Sequence, residues 1–341
     1  MTRRMPGQIQ HGVNTNDIPP RSSLPTLGLV HHPQTHRRRH AAEGLIRSAG
    51  VVLVIALTVS LAACGARRDP TVAPTLSAPA DSGVTTRTDM VYREIDGQTL
   101  EMDACLPADG TAPTAAVILL HGGGFTQGSR SDESMTNLCV WLATNGYAAF
   151  PISYRFAPDY IFPSQTEDVA AAVEWLRDPE QVADFNIDPE RIGALGSSAG
   201  AILTLEAATS GEGPTTVGSR LKAVVSLSGV ADMTSGAVAL GTPSAEAVTI
   251  ILNYLGCTSL ADCDGSAASP VTHVDSSDPP ALLVGAEQDL VPIQQAQRMA
   301  ASLDSVGVAN EVIVVPGAGH GAQLMNQDVR DQTLAFLAEN L

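Results

Sequence analysis

The sequence predicts an α/β fold, a mostly parallel sheet with helices on both faces. Short apolar runs alternate with longer stretches of helical spacing from residue 115 to the last residue. That alternation is the pattern of strands buried on both sides by crossover helices. The runs are bounded by Gly, Pro and Asn-Gly, and no internal repeat is visible.

The elements follow in order. Val91–Ile95 and Leu100–Leu106 read as a strand pair turning at Asp96-Gly97, a dipeptide suited to a tight hairpin. Ala115–Leu120 is a continuous apolar strand between Pro113 and His121-Gly122-Gly123-Gly124. Ser134–Thr144 places Met135, Leu138, Cys139 and Leu142 on one helical face and stops at Asn145-Gly146. Tyr147–Ser153 is a strand, and Thr166–Arg177 is a helix with Val169, Val173 and Trp175-Leu176 at core spacing. Ile192–Leu195 is a short strand that runs into a helix over Ala199–Thr209. Leu221–Leu227, Ala281–Val284 and Glu311–Val315 are further strands, and Gln294–Val306 and Gln327–Leu341 are helices. Residues 230–278 interrupt the alternation with one helical stretch, Ala245–Tyr254, and are expected to form a small cap.

Charge divides the chain. Residues 1–63 hold seven Arg and two acids, formally +5, within a total of −17, so the remainder carries −22. Such an acidic body repels phosphate backbones and excludes nucleic acid as a partner. Residues 49–63 are an apolar run after Arg47, of the length of a signal-peptide core and too short to span a bilayer. Residues 1–44 are polar and Pro-, His- and Arg-rich, so the expected start of translation is near Leu45. Residues 64–88 are rich in Pro, Ala, Thr and Ser and read as a disordered tether, with the domain proper at 89–341.

The chemistry converges on three residues. Gly196-Ser197-Ser198-Ala199-Gly200 lies between a strand and a helix, where flanking glycines allow a sharp turn that exposes the Ser198 hydroxyl. Three of the eight histidines lie beyond residue 63. His121 sits in a Gly-rich loop that it is expected to brace, and His273 is expected to be structural or at the surface. His320, in Gly319-His320-Gly321 after the last strand, is the candidate general base. Asp289, after the preceding strand, is the candidate partner that orients it, with Glu287 as the local rival. The consecutive glycines Gly122, Gly123 and Gly124 after a strand make a loop with exposed amides, of the kind that binds an oxyanion in acyl transfer.

These motifs resemble the α/β-hydrolase superfamily, and within it serine esterases of the hormone-sensitive-lipase-like and bacterial carbohydrate-esterase type. The resemblance rests on His121-Gly122-Gly123-Gly124, on the Ser198 pentapeptide and on Ser153-Tyr154-Arg155-Phe156-Ala157-Pro158. It implies an α/β-hydrolase fold with a small cap, a Ser198, Asp289, His320 order of catalytic residues, and the amides of Gly123, Gly124 and Ala199 as the oxyanion hole. Arg155 and Asp168 would be a scaffold pair or unrelated surface charges. The long helical amino-terminal cap of the lipase-like members is missing, which favours the carbohydrate-esterase branch. Phe125, Phe156, Phe162 and residues 230–278 are expected to shape the pocket.

Leu61-Ala62-Ala63-Cys64 resembles a bacterial lipobox. It implies cleavage before Cys64, lipidation of Cys64 and an exported protein held on the outer face of a bacterial membrane. Of the remaining cysteines, Cys257 and Cys263 flank a short polar loop and are expected to bridge, and Cys105 with Cys139 is the second candidate pair. The alternative of four reduced thiols fits a cytosolic enzyme better. No spacing suits a metal or a phosphate-bearing cofactor, so none is expected. The expected activity is hydrolysis of short-chain acyl or carbohydrate esters through an acyl-enzyme. The rivals are an amide-cleaving hydrolase and a non-catalytic binding lipoprotein; oligomeric state is left open.

Overall fold

The computed structural model describes residues 83–108, 112–237, 240–241 and 243–341. The expected signal region, Cys64 and the tether up to residue 82 lie outside the described residues.

One eight-stranded sheet organises the described residues. Its strands are β1 (Thr85–Ile95), β2 (Gln98–Leu106), β3 (Thr114–Leu120), β4 (Ala148–Ile152), β5 (Ile187–Ser197), β6 (Val224–Leu227), β7 (Ala281–Gln288) and β8 (Asn310–Ala318). Their order is β1-β2-β4-β3-β5-β6-β7-β8. The β1–β2 and β2–β4 pairings are antiparallel and the rest are parallel. Asp96 and Gly97, both at positive φ, make the two-residue turn between β1 and β2. Strand β1 begins at Thr85, so residues 85–88 join the sheet and do not belong to the tether.

The helices are α1 (Glu133–Thr144), α2 (Ser164–Arg177), α3 (Pro179–Phe185), α4 (Ala199–Ala208), α5 (Ala245–Leu255), α6 (Gln294–Val306) and α7 (Gln327–Asn340). Alternating residues of β3 explain its unbroken apolar run. Ala116, Ile118 and Leu120 face a core shared with α2, α4 and α6, while Val117 and Leu119 face one shared with α1 and α7. Helix α3 was not expected. The Asp178 carboxylate caps it by accepting from the Glu180 amide, and Pro179 opens it.

Within 230–278 the described residues include α5 and 3-10 turns at Leu260–Asp262, Ser266–Ala268 and Pro270–Thr272. Helix α5 buries Ile251 and Tyr254 and ends at Gly256 in the left-handed conformation. Both cysteine pairs are bonded: Cys105 of β2 to Cys139 of α1, and Cys257 to Cys263 beside α5. Arg130, ahead of α1, binds three carboxylates: Asp89 of β1 and Glu101 and Asp103 of β2. It also donates to the Ser153 hydroxyl, fastening the hairpin to the chain that leads into α1.

Candidate active site

The functional side chains collect at the carboxyl ends of the parallel strands. Ser198 follows β5, Asp289 follows β7, His320 follows β8, and the Gly122–Gly124 loop follows β3. Ser198 is held at φ 56° and ψ −117°, a backbone conformation that non-glycine residues rarely adopt. Its amide donates to the Leu227 carbonyl, and its own carbonyl accepts from Ala201 and Ile202 as α4 begins. The tightness of this turn explains its glycines. A Cβ at Gly196 would lie 2.1 Å from the Gly200 carbonyl oxygen, and one at Gly200 would lie 2.1 Å from that of Leu120.

A hydrogen-bonded chain links the three expected residues. The Ser198 hydroxyl lies 2.7 Å from His320 Nε2, and His320 Nδ1 lies 2.5 Å from Asp289 Oδ1. Asp289 is fully buried on its side chain. Burial pushes its carboxyl up, but hydrogen bonds from His320, Ser228 and the Val291 amide outweigh this and hold it below the ordinary carboxylate range. It is thus a fixed acceptor that orients His320 with Nδ1–H toward it and leaves Nε2 free to accept from Ser198. Glu287 is turned away and accepts from the Gly317 amide instead.

Two further serines hold the histidine loop. Ser228, at φ 63° directly after β6, donates to Asp289 Oδ2 and accepts from the Gly321 amide. Ser197 accepts from the Ala322 amide. Sequence reasoning missed Ser228. Its signal was position, because a polar residue at the end of the strand between β5 and β7 must fall between the residues that follow them.

His121 braces its loop as expected. Its ring is buried, stacks on Tyr154 at 4.3 Å between centroids and places Nδ1 2.7 Å from the Gly122 carbonyl. Burial holds its pKa below the ordinary value, so it is a neutral donor in this loop. The amides of Gly123, Gly124 and Ala199 make none of the loop and turn hydrogen bonds among the described residues. His273 is at the surface, its Nε2 3.0 Å from the Ala267 carbonyl. Arg155 and Asp168 are a buried scaffold pair, with Arg155 Nε 2.9 Å from Asp168 Oδ2, and Asp168 also binds Arg93.

Ser198 and His320 open onto a groove of about 760 Å³. Its lining comes from two segments, 122–137 and 322–330, and includes Gln127, Asp132, Asn137, Gln323, Asn326 and Arg330. This corrects the expected pocket. Phe125, Phe156, Phe162 and residues 230–278 are not among the groove-lining residues. Phe125 stacks on Tyr254 at 3.8 Å, Phe162 meets the edge of Tyr254, and Phe156 packs edge-on against His121 and Tyr154. Phe125 is buried and Phe156 and Phe162 pack against the core, where each ring meets other aromatic rings. Helix α5 packs against the Gly-rich loop, with Ile250 Cγ1 3.2 Å from where a Cβ on Gly124 would lie.

Among the described residues no cluster of His, Cys, Asp or Glu could hold a metal ion, and no helix is long and apolar enough to cross a membrane. The BD-FAE family model matches residues 102–303, more than half of the chain. The chain belongs to the BD-FAE family. It has the α/β-hydrolase fold, and the relatives that it matches are named as esterases and ester hydrolases. Ethyl acetate hydrolase of Pseudomonas putida is 30% identical over 72% of this chain and 79% of its own length. Esterase LipC of Mycobacterium tuberculosis is 28% identical over 63% of this chain. This BD-FAE member spans 55% of LipC's length and 21% of that of bovine arylacetamide deacetylase, which is 43% identical over 82 residues. Two solved structures share the fold. A truncated carbohydrate esterase from gut microbiota has a TM-score of 0.64 at 24% identity, covering 77% of this chain and 99% of that one. Esterase 2 of Thermogutta terrifontis, phosphonylated by sarin, has a TM-score of 0.62 at 22% identity, covering 80% and 96%.

Proposed function

We propose that the protein is a serine carboxylesterase that cleaves short-chain acyl esters of hydroxyl-rich alcohols such as carbohydrates. The single observation that supports the reading most is the Ser198–His320–Asp289 hydrogen-bond chain at the mouth of a polar groove.

In this reading His320 Nε2 takes the Ser198 proton as Oγ attacks the ester carbonyl. Asp289 holds the ring tautomer and stabilises the imidazolium. The amides of Gly123, Gly124 and Ala199 receive the oxyanion, with the amino-terminal end of α4 adding to the favourable field. His320 then protonates the leaving alcohol. Water, deprotonated by the same nitrogen, attacks the acyl-Ser198 ester and releases the acid. Side-chain amides and carboxylates along the groove suit the many hydroxyls of a sugar alcohol.

The proposed location is the outer face of a bacterial membrane, through a lipidated Cys64. The lipobox sequence supports it, and so do two disulfides, which persist in oxidising compartments. The test of function is a panel of acetyl, butyryl, feruloyl and acetylated-xylan esters with the wild-type and Ser198→Ala proteins. Hydrolysis that depends on Ser198 upholds the reading, and equal rates for the two proteins refute it.

A further inference from the structure

Arg330 stands apart from the other arginines. Nine arginines are described, and seven of them pair with a carboxylate: Arg87, Arg93, Arg130, Arg155, Arg191, Arg220 and Arg298. Arg177 uses its guanidinium on the carbonyls of Pro189, Thr215 and Gly218. Arg330 donates only from Nε, to the Met325 carbonyl at 2.8 Å, and among the described residues its two terminal nitrogens have no partner. An unpaired guanidinium is unusual in a chain with nearly twice as many acids as bases.

Its place is equally specific. Arg330 lies in the first turn of α7 and lines the groove that holds Ser198 and His320. The wall it belongs to, residues 322–330, directly follows His320, the group that protonates the leaving alcohol in the proposed reaction. Partial burial lowers its pKa without a carboxylate to offset the cost, yet an arginine stays charged. The groove's acids, Asp132 and Glu133, lie on the wall that follows the oxyanion loop, and Asp132 is engaged with the Ser129 amide.

We propose that Arg330 determines specificity by binding a carboxylate that the ester substrate carries away from its scissile bond. The inference rests on the esterase reading and names the substrate class: acidic esters, such as acylated acidic sugars or hydroxy acids. A planar fork whose two terminal nitrogens are free along one edge matches a carboxylate in two-point contact, and a site built for such a contact penalises a neutral analogue. The general acidity of the body would repel such a substrate elsewhere on the surface, so selectivity is confined to this wall.

The experiment compares carboxylate and neutral partners in two arms. The alcohol-side pair is 3-acetoxybenzoate and its methyl ester. The acyl-side pair is monoethyl adipate and ethyl hexanoate. The expected result is a kcat/KM ratio in favour of the acid that falls about 10-fold in Arg330→Gln, recovers in part in Arg330→Lys, and shrinks as salt is added. The arm in which the ratio moves tells whether the carboxylate belongs to the alcohol or to the acyl group. A ratio that is the same in wild-type and Arg330→Gln in both arms overturns the proposal. Failure of the esterase reading is separately visible as absence of phenyl acetate hydrolysis by the wild-type protein. In that event calorimetric titration of 3-hydroxybenzoate into Ser198→Ala decides. Binding lost in the Ser198→Ala/Arg330→Gln double variant supports the role of Arg330, and binding unaffected by it, or none, overturns it.

Discussion

Ser228 hydrogen-bonds to Asp289 at 2.5 Å, so the carboxylate that orients His320 is itself held from the neighbouring strand. The same hydroxyl accepts from Gly321, the residue after His320. Ser228→Ala is therefore expected to lower kcat by about 10-fold or more while the fold persists, since a hydrogen bond to a charged group contributes about 1.5–3 kcal/mol. Steady-state kinetics with phenyl acetate, alongside a thermal melt, checks it; an unchanged kcat contradicts the positioning role.

The strained backbone of Ser198 separates activity from stability. Ser198→Ala and Ser198→Gly should both lose nearly all ester hydrolysis. Glycine relieves the φ 56° conformation, so Ser198→Gly should be the more stable of the two by about 1 kcal/mol. Urea unfolding of both variants measures the difference.

Gly200 touches the strand that precedes the oxyanion loop. Its methyl substitute would overlap the Leu120 carbonyl oxygen, which a backbone hydrogen-bonded in a central strand cannot yield cheaply. Gly200→Ala should destabilise the protein by about 3 kcal/mol or prevent folding. A melting temperature equal to wild type would show that the elbow can open.

The Cys105–Cys139 bond closes a separation of 34 residues between β2 and α1. By the chain-entropy account its loss costs about 3–4 kcal/mol. A Cys105→Ala/Cys139→Ala variant should melt well below wild type. The same double substitution should shrink the melting-temperature drop caused by a reductant.

Glu206 supplies a pH signature. It is buried on α4, accepts from Thr166 and Tyr254 at 2.7 Å each, and is pushed by burial up to about 8. The folded protein thus keeps a proton that the unfolded chain releases near about 4.5. Stability linked to this group is present in full below the unfolded value and declines as pH rises through about 8. Glu206→Gln should flatten that decline in pH-dependent melts; an identical slope would exclude Glu206 as its source.

Much of this was legible in the sequence because each signal was local. The apolar run at 115–120 is a strand buried on both faces, and the glycines around Ser198 are demanded by contacts within one turn. The order of Ser198, Asp289 and His320 placed them at strand ends that a parallel sheet brings together. What escaped depends on distant packing. Whether Phe125 lines a pocket or stacks on Tyr254 is decided by a helix more than a hundred residues later in the chain. Ser228 and Arg330 carry no motif, and only the sheet order puts the first against Asp289.

Arg130 ties the wall of the groove to the β1–β2 hairpin through Asp89, Glu101 and Asp103. The family match stops short of both His320 and Arg330 and begins after two of those three acids. A fragment trimmed to 102–303 would lose His320, the proposed general base, together with two of the three carboxylates that hold Arg130. The unit that carries the whole sheet and every residue of the proposed site therefore extends from Thr85 through helix α7.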